Sequence, residues 1–283
     1  MPTSPFRIPA PASATPGVRT IALTRPLHWL TLAWRDMMRC GWLSFAHGLV
    51  LALAGAALLR IAHDRFWLLA GAFSGFLMVA PVLVTGLYAL SRALERGEKA
   101  DASVVLKTWL SWQSSHANKW GNDYWCLVQF GALLGLAGSG WVLTSAALIT
   151  LLAPVPITTP LEFIRHVVLA RDNLLFELWL TLGGVLAAPI FASTVITIPL
   201  LLDRRVTLMQ AVLTSWKTVL LNPLPLALWA ALIMGLTLLG LVSALLGLIV
   251  LVPLLGHASW HAYRDLVDAS ALPELDAPAV GVR

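Results

Sequence analysis

Residues 226–256 read LALWAALIMGLTLLGLVSALLGLIVLVPLLG, thirty-one residues without one charged side chain. The hydrocarbon core of a bilayer takes about 20 helical residues. The run is therefore too long for one upright span and barely long enough for two. Which of these it is decides whether the chain crosses a membrane five or six times, and so whether its two ends share a side.

Outward from this run the same texture recurs. Of the 283 residues, 58% are hydrophobic and only 12% are charged. A soluble domain is about one quarter charged, and here the charge is missing from whole windows rather than thinned evenly. Such windows mark spans at about 42–62, 66–90, 124–152 and 174–202. A flexible tail, 1–26, rich in Pro, Ala, Ser and Thr, precedes them, with no apolar segment of a cleaved signal peptide. A short tail, 269–283, closes the chain, leaving a membrane domain over 27–268. Cys40 and Cys126 form neither a disulfide framework nor a C-x-x-C site. The net charge of +5 sits beside apolar runs, not in a separate basic domain, so nucleic acid is not an expected partner.

An internal repeat resolves the ambiguous run. Three times an aromatic and basic lead-in precedes a hairpin of two apolar runs that exits in proline plus aliphatic residues. The lead-ins are Leu32-Ala33-Trp34-Arg35, the stretch Trp109 to Trp120, and Thr214-Ser215-Trp216-Lys217. The exits are Pro81-Val82-Leu83, Pro199-Leu200-Leu201 and Pro253-Leu254-Leu255. Sliding the first exit onto the third superposes Tyr88 on Trp260 and Arg92 on Arg264. A third hairpin requires the run to bend near Gly240, giving spans at about 225–239 and 241–261. The expected fold is thus an all-α integral membrane protein with six transmembrane helices as three hairpin repeats, joined by short amphipathic interfacial helices.

Basic residues orient it. With the N-terminus cytoplasmic, fifteen of nineteen Lys and Arg fall on the inner side, as the positive-inside rule requires. Five spans would give thirteen against six, so charge alone leaves both open. In the lead-in 27–40, Leu27, Leu30, Trp34, Met37 and Met38 fall near one helical face, with His28, Arg35, Asp36 and Arg39 off it. Such a helix suits the headgroup layer. Trp34, Trp112 and Trp216 are the expected anchors, and most other tryptophans fall at span ends as an aromatic belt.

Chemistry is sparse. Away from their ends the spans hold no Asp, Glu, Lys or Arg, where proton-coupled carriers place theirs. No G-x-S-x-G nucleophile, C-x-x-C or Walker lysine occurs, and no catalytic residue is assigned. His257 and His261, at i,i+4 on one face, and His47, early in the first span, make one expected cluster at the cytoplasmic end. Three imidazoles at one depth suit a transition metal or haem. Ala258 follows His257 where a zincin needs Glu, and only Asp265 is near to orient a ligand. Hydrogen-bonded histidines without a bound metal or cofactor are therefore expected. Asp203-Arg204-Arg205 reads as a stop signal with Asp203 paired locally, and Glu177 as a surface partner for Arg165 or Arg171. Gly71-x-x-x-Gly75 and Gly131-x-x-x-Gly135 suggest close helix packing.

Four stretches carry a resemblance: WLSFAHG at 42–48, PVLVTGLYALSRALERG at 81–97, LLDRR at 201–205 and PLLGHASWHAYRDLV at 253–267. They resemble a bacterial integral-membrane family catalogued as domain of unknown function 2189 (DUF2189), across roughly 27–268. Some members carry the label of a cytochrome c oxidase subunit. The resemblance implies a multi-pass protein of the bacterial inner membrane with an accessory role beside a respiratory complex. It does not imply the haem-copper catalytic subunit, which has about twice the spans and several histidines deep within them. Two functions are carried forward: a non-catalytic accessory or scaffold protein, and a carrier or channel for a small neutral or lipid-like solute. A polar cavity lined by Ser44, Gln129, Thr144, Ser193 or Thr197 would favour the second. The expected partners are membrane lipids and either a membrane protein complex or further copies of the chain.

Overall fold

The computed structural model describes residues 16–62, 67–68, 71–72, 75, 84–114, 124–170 and 174–275, the side chains of 62, 111–114 and 124–130 excepted. Among these the chain is helical apart from one pair of two-residue strands. Helix α1 is Arg25–Cys40 and α2 is Trp42–Ala62. Gly41 between them has φ +57°, a left-handed corner that glycine adopts without a Cβ clash. The expected second span lies largely outside the described residues, as do Pro81, Lys119 and Arg171. Its end differs from expectation: α3, Thr85–Glu95, carries helix five residues beyond Leu90. The extension holds because Arg92 and Glu95 find charged partners on other elements.

Helix α4, Ala102–Ser114, leads to α5, Tyr124–Leu152. A connection follows with the short helix α6, Pro160–Phe163, whose start is fixed by a capping box between Thr159 and Glu162. A π-helical turn at Ile164–Val168 continues it. The fourth apolar run is split into α7, Leu175–Thr194, and α8, Thr197–Asp203. Pro199 has no N–H for the Val195 carbonyl, so the ladder breaks over 195–196. Helix α9, Leu208–Leu221, opens on a second capping box, between Thr207 and Gln210.

The ambiguous run resolves into two helices, α10, Pro223–Val242, and α11, Leu248–Leu266. The break is not at Gly240. Helix α10 continues through it, and the chain turns over 243–247, with Ala244 and Leu245 at φ +53° and +68°. The Ser243 hydroxyl accepts from the Gly247 N–H at 2.9 Å. Gly240 provides closeness instead: a Cβ there would stand 2.6 Å from Leu248 Cδ2.

By length and composition, four helical stretches among the described residues can cross a membrane: Trp42–Ile61, Gly131–Leu152, Leu175–Asp203 and Pro223–Val242. Helix α11 falls outside that set; its second half carries His257, His261, Arg264 and Asp265. It is nevertheless the centre of the molecule, packed by α1, α2, α3 and α10. Pro253 leaves the Ile249 carbonyl without its helical donor, and Gly48 of α2 lies against that carbonyl; a Cβ at Gly48 would be 2.4 Å from the oxygen.

The lead-in helices exist, and of the α1 face that hydropathy assigns to the headgroup layer only Met37 is fully buried in the protein. Trp29, Ala33, Asp36, Met37 and Cys40 are buried, whereas Leu27, Trp34 and Met38 are 46–49% exposed. The buried face is the one that meets α11, and a polar residue sits on it because a partner waits there. Trp216 on α9 is also exposed, and the Trp112 side chain lies outside the described residues. Three other tryptophans are core, not belt: Trp29, Trp229 and Trp260 are at most 1% exposed, and Trp29 meets Trp229 edge-on at 5.5 Å.

The flanks of the chain meet. Strand β1, Gly17–Val18, pairs antiparallel with β2, Val267–Asp268. Asn222 binds the same stretch, accepting from Ile21 N at 2.9 Å and donating to Arg19 O at 3.0 Å. Farther on, Leu275 N donates to Asp203 O, and Arg204 bridges Glu274. Both flanks therefore lie at one end of the bundle.

Candidate functional site

That end concentrates the polar chemistry. Successive turns of α11 present His257 and His261 toward α1, α2 and α3. His257 has no exposed surface, and both its ring nitrogens are engaged: Nε2 with Ser44 Oγ at 2.9 Å and Nδ1 with Ser91 Oγ at 2.7 Å. The Ser91 hydroxyl donates to Asp36 Oδ2 at 2.7 Å, and His261 Nε2 meets the same oxygen at 2.8 Å.

These contacts fix the proton directions. Ser91 has one hydrogen and gives it to Asp36, so His257 Nδ1 is the donor to Ser91. His257 Nε2 then accepts from Ser44. The result is an ordered string, Ser44 to His257 to Ser91 to Asp36, with His261 closing it from the other side. Burial pushes the Asp36 carboxyl up, but the hydrogen bonds from His261 and Ser91 outweigh it and hold the group below the ordinary carboxylate range. Cys40, beside the string, is pushed up to about 11 by burial and by the Asp36 charge, with Ser44 opposing in part.

Of the three expected histidines, two join this string. His47 donates from Nδ1 to Leu43 O, 2.7 Å away, and its Nε2 faces Gly86. The three rings do not converge on one point, and among the described residues no three His, Cys, Asp or Glu side chains are grouped to hold a metal ion. The carboxylate that orients the pair is Asp36, not Asp265. Asp265 is taken by Arg25, at 3.0 Å from Nη2, and by Trp29 Nε1 at 2.7 Å. Sequence reasoning passed over Asp36, reading it as the solvent side of a surface helix. Its spacing of seven and three residues from Trp29 and Ala33 was the available signal.

A second cluster surrounds Asp203. It is 3% exposed, and its pairing is not local alone. Arg204 lies at 3.0 Å, but Arg92 at 3.2 Å and Arg96 at 3.7 Å arrive from the end of α3. Tyr263 donates to it at 2.8 Å and Arg264 stands at 3.9 Å, both from α11. Glu95 in turn takes Arg264 at 2.8 Å and Trp260 Nε1 at 3.0 Å. The local pair expected of Asp203 is present with Arg204, and it is extended: α3, α8 and α11 all converge on this carboxylate. Glu177 is exposed in the first turn of α7, and Arg171 lies outside the described residues.

A half-open cavity of about 190 Å³ lies between α11 and its neighbours α2, α3, α7 and α10, with a mainly apolar lining. Of the hydroxyls expected to line a solute path, the described ones are engaged elsewhere. Thr144, Ser193 and Thr197 donate to carbonyls four residues back, and Ser44 belongs to the His257 string. The Gln129 side chain lies outside the described residues.

Residues 68–203 match the model of a family described as a predicted integral membrane protein. The family is DUF2189. The DUF2189 match is narrower than the resemblance read from the sequence. It includes Arg92, Glu95 and Arg96 and ends on Asp203, while Asp36, His257 and His261 lie outside it. No curated protein and no solved structure matches the chain.

Proposed function

We propose that this protein is a non-catalytic accessory or scaffold protein of the bacterial inner membrane, built from six spans with both termini in the cytoplasm. The observation that carries the reading is the closure of the polar groups at the one end. The Ser44–His257–Ser91–Asp36–His261 string and the Asp203 cluster bond chiefly to themselves. Groups so engaged stabilise an arrangement of helices, and a reaction centre needs donors turned toward a substrate. The β1–β2 pair supports an even number of crossings, since it holds both flanks at one end. The turn at 243–247 supports the third hairpin, and the fifteen inner Lys and Arg support a cytoplasmic N-terminus. Membrane lipids and a larger membrane complex, such as a respiratory one, are the partners proposed.

Two experiments test this. Reporter fusions after Arg171 and after Arg283 are expected to report the outer and inner sides respectively; a C-terminal reporter active only outside ends the six-span reading. Mild-detergent purification with mass spectrometry is expected to recover stoichiometric membrane partners, oxidase subunits among the candidates. A lone homo-oligomer in that experiment removes the accessory role.

A further inference from the structure

The cavity along α11 is not part of either polar cluster, and its shape and lining identify a guest. It extends along α11 from Leu248 to Ser259, a rise of about 16 Å at 1.5 Å per residue. One leaflet of hydrocarbon is about 15 Å deep, half of the ~30 Å core. The walls over that length are mainly apolar, Trp229, Ile233, Leu251 and Leu255 among them, with Thr237 of α10 the one hydroxyl away from the Ser259 end among the described lining residues. Its volume, about 190 Å³, exceeds the ~150 Å³ of an apolar cavity that takes up benzene. Helices α7 and α10 both contribute to its walls, and the cavity is half open.

Polarity enters at the end nearer the Asp203 cluster. There Tyr88 lies against Ser259, and Thr194 of α7 is also in the lining. Ser259 and Thr194 spend their hydrogens on the carbonyls of Leu255 and Phe191, at 2.8 and 3.2 Å. Among the described residues no charged side chain lines the cavity. We propose that this slot binds the acyl chain of a bilayer phospholipid, entering from the side, with its uncharged ester region at the Tyr88–Ser259–Thr194 end. An apolar channel of one leaflet's depth that finishes in hydroxyls instead of charges matches an esterified chain. A free fatty acid would bring a carboxylate to a wall without a cation among its described residues.

The test is photolabelling of the full chain in vesicles of phosphatidylcholine containing a trace of the same lipid with a diazirine in one chain. Mapping by mass spectrometry is expected to find adducts on the inward positions Trp229, Ile233 and Leu251, besides those on lipid-facing Leu136 and Leu143 of α5 (70% and 72% exposed). Leu251→Trp, which fills the slot, is expected to abolish the inward adducts at Trp229 and Ile233 and leave those at Leu136 and Leu143, which also certifies folding. Adducts confined to the exposed positions overturn the proposal, and so do inward adducts that persist in Leu251→Trp. A second arm replaces the lipid by diazirine-bearing palmitic acid; inward labelling by the free acid alone overturns the ester assignment. Neither result depends on whether partner proteins co-purify.

Discussion

At the scale of single residues, the polar contacts decide more than their number suggests. Asp203 is a buried carboxylate facing four arginines. Removing its charge leaves Arg92 and Arg96 facing each other in a partly buried site, and breaking a buried pair from one side costs about 3–5 kcal/mol. Asp203→Asn is expected to destabilise the protein on that order in detergent denaturation. Glu274→Gln is the contrast, because Glu274 is 45% exposed, and exposed pairs contribute about 0–1 kcal/mol. Equal losses for the two variants would contradict the central place given to Asp203. Asp36 carries a pH dependence. Its folded pKa is lowered, so its stabilisation is complete above the unfolded value of about 3.9 and is lost as pH falls through the folded value. Asp265 and Asp268 act in the same direction. The melting temperature is expected to decline below about pH 4, and Asp36→Asn to decline less steeply; parallel curves would show that Asp36 contributes nothing.

At the scale of elements, proline and glycine set the close approaches. Pro253 frees the Ile249 carbonyl, and Gly48 lets α2 reach it. Gly48→Ala would press a methyl into a carbonyl, and such overpacking costs about 1–3 kcal/mol. Gly135→Ala on α5 meets nothing within 4 Å and is expected to be neutral or mildly stabilising, as Ala is the better helix former. Thermal melts of the two variants compare them directly, and an unchanged Gly48→Ala would show that α2 and α11 sit farther apart. Much of this scale was legible beforehand. The apolar windows gave α2 and α5 their ends, because a run of uncharged residues between polar ones is a local property of the chain. The turn in the last run was legible as a necessity of length but not in position. Gly240 reads as a breaker, whereas the helix uses it to admit Leu248, and the left-handed residues are Ala244 and Leu245.

At the scale of the molecule, the pairing of Gly17–Val18 with Val267–Asp268 ties the ends together. Val18 and Val267 are direct partners, so their Cβ atoms lie within about 4.5–5.5 Å of one another. The double variant Val18→Cys, Val267→Cys is expected to cross-link with a short bifunctional reagent, read as a fragment that stays joined after proteolysis between them. Failure of that cross-link would separate the flanks and, with them, the support for an even number of crossings. The sequence by itself determined the class: uncharged windows of about 20 residues, without the apolar–polar alternation of a barrel strand, are satisfied in a bilayer by helices, and the i,i+4 spacing put His257 and His261 on one face. Tertiary structure alone decided which partners the polar side chains take. Asp36 looked solvated, Asp203 looked local and Asp265 looked available to histidine, yet each is claimed by residues 55 to 240 positions away. Hydropathy is written along the chain, whereas a buried charge is stable only beside its counter-charge, and that neighbour exists only once the helices have packed.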